Sequence, residues 1–144
     1  MAHQAFTGSV PDDRLYCPRH DMWVQLLENG DALIGVTSFG LFLAGEIIAF
    51  TAKPNGAVVD GGRGMGTVEC RKTVLAIHAP ISFVLLAGNE VAEERPQLVN
   101  SAPYGAGWLA RVQPTRWAEE KSGLLAAAAY RQHVLAIEPG ASFV

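Results

Sequence analysis

Four consecutive side chains, Glu69-Cys70-Arg71-Lys72, bring a carboxylate, a thiol, a guanidinium and a primary amine into one short stretch. The amine sits on a long flexible stem, and acylation would remove its charge. A thiol beside a cation ionises more readily, and the thiolate is the nucleophile, so Arg71 is expected to activate Cys70. Three lysines, Lys53, Lys72 and Lys121, stand against eight arginines in the chain, which makes a lysine in this cluster worth a specific question. The plain alternative is a solvated turn lysine.

Such a cluster needs an element that carries it into water. Its flanks supply one. Thr67 and Val68 before it, and Thr73, Val74 and Ile77 after it, are β-branched and favour strands. The four residues then form the tip of a hairpin, away from the core. On a continuing strand, Cys70 and Lys72 would share a face. Further strands are expected over residues 23–27 and 32–36, joined by the turn chemistry of Glu28-Asn29-Gly30-Asp31. Thr37 or Ser38 caps a short helix through Leu43, which Gly45 ends. Strands over 47–51, 81–87 and 108–113, a short helix over 89–94 and a helix from Thr115 to about Val134 complete the pattern. Phe83-Val84-Leu85-Leu86 reads either as a strand buried on both faces or as an exposed contact patch. Many short strands with Gly and Pro turns predict a mainly β protein, an antiparallel sandwich or barrel.

Composition bounds the rest. A chain of 144 residues with 49% apolar side chains builds one domain with a real core. The expected division is a loose N-terminal arm over 1–13, a domain over 14–134 and a tail over 135–144. A net charge of −3 gives no reason to expect nucleic acid or an anionic membrane as partner. No apolar run approaches the roughly 20 residues of a membrane span. No export signal is visible, and two cysteines suggest reduced thiols, so a cytoplasmic location is expected. No metal site is expected.

Several blocks resemble the H protein of the glycine cleavage system. Glu69-Cys70-Arg71-Lys72 resembles that family's Glu-Ser-x-Lys, whose lysine carries lipoic acid in amide linkage. His20-Asp21-Met22-Trp23-Val24 resembles His-Glu-Trp-Val with one residue inserted, and Gly35-Val36-Thr37 resembles Gly-Ile-Thr. Ala44-Gly45-Glu46-Ile47 resembles Leu-Gly-Asp-Ile. Leu98-Val99-Asn100-Ser101-Ala102-Pro103-Tyr104-Gly105-Ala106-Gly107-Trp108-Leu109 nearly repeats Leu-Val-Asn-x-x-Pro-Tyr-Gly-x-Gly-Trp-Leu. The blocks around 44–54 and 113–118 look more like the lipoate-binding proteins of the bacterial heterodisulfide-reductase-like sulfur-oxidation pathway.

The resemblance implies a flattened antiparallel barrel-sandwich hybrid of the lipoyl-domain type, with short helices and a C-terminal helix. It implies a non-catalytic carrier with lipoic acid on Lys72. Glu69, and Gly56 sixteen residues before the lysine, would serve recognition by a lipoate ligase or other lipoylating enzyme. His20 and Cys17 fall where the family has its arm-docking surface, although a structural role for the histidine is the plainer reading. Cys70 and Cys17 could meet the dithiolane or a sulfur group on it, or simply replace small residues. Three functions stay open, and the resemblance of the 44–54 and 113–118 blocks favours the first. The first is a carrier for sulfur oxidation, served by a heterodisulfide-reductase-like complex. The second is a carrier of the aminomethyl group for glycine cleavage enzymes and dihydrolipoyl dehydrogenase. The third is a non-lipoylated binding module.

Overall fold

The structure is a computed structural model, and it describes residues 4–144. In chain order its strands are β1 (Thr7–Gly8), β2 (Leu15–Cys17), β3 (Met22–Leu26), β4 (Ala32–Val36), β5 (Ile47–Ala52), β6 (Val58–Val59), β7 (Gly64–Cys70), β8 (Thr73–His78), β9 (Phe83–Gly88), β10 (Ala110–Pro114) and β11 (Ser142–Phe143). The helices are α1 (Ser38–Ala44), α2 (Glu90–Glu94), α3 (Gln97–Ser101), α4 (Trp117–Glu120) and α5 (Ala127–Ile137).

Alternation along the strands builds two sheets that share a core. One has the order β2-β3-β4-β10-β9-β6 and the other β5-β7-β8, and every neighbour in both is antiparallel. Val24, Ile34, Leu85 and Val112 of the larger sheet are buried in one cluster with Phe50, Met65 and Ile77 of the smaller. Burying such side chains contributes about 1.5–3 kcal/mol each. A second cluster lies on the back of the larger sheet. There Tyr16, Trp23 and Phe39 pack with Phe6, Val10 and the α5 residues Tyr130 and Val134. Gly35 is required beneath Trp23, because a Cβ there would fall on the indole ring. The mainly β sandwich with short helices and a C-terminal helix is as expected.

Three expectations change. The described part of the N-terminal arm is not loose. Phe6 and Val10 are buried in the second cluster, and β1 pairs in parallel with β11 of the tail. Arm and tail thus hold each other across the same core face. The single helix predicted from Thr115 to Val134 is broken. After α4, Lys121–Gly123 tightens into a 3-10 turn, and Leu125 then pairs with Tyr16 as an isolated bridge before α5 begins. Glu120 ends α4 by accepting from the backbone N–H and the hydroxyl of Ser82, tying the segment to the start of β9. Finally, β9 alternates instead of burying both faces. Phe83 and Leu85 point inward, while Leu86 is exposed.

Candidate functional site

Strand register sets the reach of Lys72. Cys70 pairs with Thr73, so Arg71 and Lys72 alone form the turn between β7 and β8. β7 is the central strand of its sheet, bonded to β5 on one side and β8 on the other, which makes the tip a rigid support. Lys72 is exposed, and among the described residues it has no hydrogen bond or ion pair. Glu69 is exposed and lies opposite Val74 on the outward side of the hairpin. Arg71 does not face the cysteine. Its Nε and Nη2 both donate to Glu46 Oε2, at 3.1 and 3.0 Å, joining the tip to the residue before β5. Gly56 sits in a different turn, between β5 and β6, with φ +88 and its amide bonded to the Leu85 carbonyl.

The cysteine expectation is corrected by the pleat. The turn starts after Cys70, so Cys70 and Lys72 share no face. Cys70 faces the core opposite Ile47 and is 5% exposed. Burial raises the Cys70 thiol above its ordinary range. Cys17 is also buried, and burial raises it too, against weaker lowering by backbone N–H groups of His20 and Arg19. Both thiols are free. Neither is thereby an activated nucleophile. Alkylation of native protein at neutral pH should therefore run well below the rate of a free model thiol at both positions, and reach it only in denaturant. A Cys70 that reacts faster than the model thiol in the native fold would refute this.

A cavity of about 290 Å³ runs along the same hairpin. Val68, Leu75 and Ile77 form one wall, Leu41 and Ala44 of α1 another, and His20, Asp21 and His78 close one end. The His20 and His78 rings stack with centroids 4.9 Å apart and planes 17° from parallel. His78 Nδ1 is 3.0 Å from the Gly62 carbonyl. Burial holds the His20 pKa below its ordinary value, helped by His78 and Arg19. The sign follows from linkage. The unfolded chain takes up the His20 proton first, so stability present at neutral pH is lost as pH falls below about 6.5. His20→Phe keeps a ring but cannot charge, so its thermal midpoint should fall less than wild type's between pH 7.5 and pH 5. Equal falls would remove His20 as the source.

The cavity's turn and helix are held by a buried relay. Tyr130 donates to Asp21 Oδ1 at 2.8 Å, and its oxygen lies 2.8 Å from the Thr37 hydroxyl, which in turn accepts the Gly40 N–H as the N-cap of α1. Asp21 takes φ +54, and burial raises its carboxyl, against lowering by Tyr130 and His133. His78, Glu46 and Tyr130 were not singled out from sequence. His78 could have been found as the polar residue that ends the apolar run 74–77 of β8; Tyr130 meets Asp21 only through the tertiary fold.

The residues present suit a flexible acyl arm. Among the described residues the amine has no partner, and an apolar slot begins three residues beyond it, at Leu75 of β8. A sandwich that offers one lysine at the end of a braced hairpin has the layout of a swinging-arm carrier domain, which holds a group covalently and catalyses nothing.

Comparison with known proteins narrows that class. The family model for the glycine cleavage H-protein matches residues 14–137, and the chain belongs to that family. Its members are non-catalytic carriers with lipoate covalently attached to a lysine. The chain is 34% identical over 131 residues to the glycine cleavage system H protein of Marinobacter nauticus, covering 91% of this chain and 99% of that protein. It is 38% identical over 128 residues to the one from Chlorobium limicola, covering 86% and 96%. The crystal structure of the H protein from Mycobacterium marinum superposes with a TM-score of 0.75 at 33% identity, covering 85% of this chain and 97% of that one. Among the described residues no helix is long and apolar enough to cross a membrane.

Proposed function

We propose that Lys72 carries the lipoyl group and that the protein serves as the H protein of a glycine cleavage system, bearing the aminomethyl group between its enzymes. One observation carries the site: Lys72 is exposed and, among the described residues, unpartnered on a two-residue turn between braced strands. The names of its relatives support the pathway. The expected partners are a lipoylating enzyme, the glycine cleavage enzymes and dihydrolipoyl dehydrogenase. When bound, the lipoyl group supplies a dithiolane that can be reduced and can hold a transferred group.

The chain's own residues do the rest. β7 and β8 hold the amine clear of the body, so that one lipoylating active site can enclose it. The short turn keeps the arm's anchor fixed, which raises the arm's effective concentration at each docked partner. The cavity walls, Leu41, Leu75 and Ile77, offer the apolar part of the arm shelter from water. Glu69, on the outward side, is left for recognition by the lipoylating enzyme, and Gly56 shapes the β5–β6 turn that the same enzyme would meet.

A second reading, a carrier for heterodisulfide-reductase-like sulfur oxidation, is favoured by one feature of the tip. Arg71 puts a cation beside the lysine where the H protein has a neutral residue, and Glu46 orients it. A partner surface shaped for a neutral side chain would desolvate that cation at a cost. Glycine–bicarbonate exchange with a purified glycine decarboxylase decides between the two. Lipoylated protein that matches an authentic H protein supports the first reading; exchange at background with fully lipoylated protein supports the second.

A further inference from the structure

Asn100 lies in the Leu98-to-Leu109 run that resembles the family, yet carrying an arm gives no evident reason for an asparagine there. Its geometry gives one. β5 is an edge strand, bonded only to β7. Two side chains close its outer edge. At the far end, Glu93 Oε1 accepts the Ala52 N–H at 2.9 Å. At the near end, the Asn100 amide makes both bonds that a neighbouring strand would make. Its Nδ2 donates to the Ile47 carbonyl at 2.8 Å, and its Oδ1 accepts the Ile47 N–H at 2.8 Å. A register shift between Ile47 and Ala49 separates Ile47 from the regular ladder, so this residue needs an outside hold.

Ile47 leads to the tip by two routes. It lies opposite Cys70, which closes the turn with Thr73. Glu46, one residue earlier, holds Arg71. Among the described residues Lys72 has no hydrogen bond or ion pair of its own, so its aim is set by that turn. We propose that Asn100 is a positioning residue for the acceptor lysine: by fixing Ile47 on both its polar groups, it sets where the Arg71–Lys72 turn stands when an acylating enzyme engages it. This inference rests on Lys72 being the lipoylated residue. Misplacing a reacting group by about 1 Å can cost on the order of a hundredfold in rate.

The test uses full-length apoprotein and a lipoate–protein ligase, with carrier concentration varied. Asn100→Asp keeps the shape and the acceptor for the Ile47 N–H, but removes the donor and sets a carboxylate against the Ile47 carbonyl. Asn100→Ala removes both bonds. Glu93→Ala opens the same edge at the end away from the tip. Both Asn100 variants should stay cooperatively folded and lose at least about tenfold in kcat/KM. The loss should fall on kcat, because the docking surface is unchanged and only the amine's approach is displaced. Amide exchange at Arg71 and Lys72 should accelerate in both. Glu93→Ala should load within about twofold of wild type. Asn100→Asp loading at the wild-type rate overturns the inference. So does an equal loss in Glu93→Ala, which would mean general loosening of the sheet, and so does failure of both Asn100 variants to fold. Wild-type protein that takes no lipoyl group at Lys72 overturns the carrier reading itself, and this inference with it.

Discussion

Lys72→Arg protein will gain no lipoyl mass in a lipoylating system and will give glycine–bicarbonate exchange at background. The substitution keeps the positive charge and nearly the same reach, so the surface that a ligase recognises changes little. What it removes is the nucleophile. A guanidinium stays protonated at any working pH and does not form the stable amide that a primary amine forms. Lys53 and Lys121 cannot substitute on the same terms. Lys53 directly follows β5, and Lys121 lies in the 3-10 turn after α4, neither on a two-residue tip. The fold should be indifferent, because Lys72 has no partner to lose among the described residues, and the thermal midpoints of the two proteins should agree closely. Intact mass and exchange together read the outcome. A Lys72→Arg protein that still gains one lipoyl group would move the arm to another lysine and dissolve the site described here.

Gly107→Ala will cost about 3 kcal/mol of stability. For a chain of this size that is a fall of about 10 °C in thermal midpoint. Gly107 is buried, and a Cβ there would meet the Leu98 carbonyl oxygen, with the Leu98 carbonyl carbon at 2.7 Å and the Ala102 carbonyl oxygen at 2.8 Å. All three are backbone atoms, so no rotamer change relieves the clash. Something in α3 or the following turn has to shift, and the shift breaks bonds. The Gly107 N–H donates to Ala102, and Asn89 donates to the Ala106 and Trp108 carbonyls on either side. Gly105, two residues earlier, is the control. It has open space where its Cβ would be, so Gly105→Ala should change stability by no more than about 0.5 kcal/mol. Urea or thermal unfolding of the pair measures the difference. Equal midpoints would show that the turn yields where this packing says it cannot.

These two glycines are identical as letters, and only the fold tells them apart. The same holds around Tyr104. Its hydroxyl donates to the Ser9 carbonyl and accepts the Ser38 N–H, while the Arg14 guanidinium lies over both Tyr104 and Trp23. The motif's aromatic residues thus join the arm to the helix beside the cavity. Their order in the chain announced a structural block, but not which segments it would join.

Local chemistry is what the sequence determined by itself. β-branched runs on either side of a polar cluster were enough for the hairpin and for an exposed Lys72, because strand preference and turn chemistry act over a few residues. The cap of α1 at Thr37 or Ser38 and the Gly45 stop were legible for the same reason. The tertiary structure decided the rest. The turn holds two residues instead of four, which turned Cys70 inward and sent Arg71 to Glu46. Asn100 reaches Ile47 across a separation of 53 residues, and Tyr130 reaches Asp21 across 109. His20 meets His78 only because the two sheets close on each other. Pairings of that span carry no local signature: each partner satisfies ordinary rules where it stands, and the energy that joins them is gained only when packing has already brought the strands together.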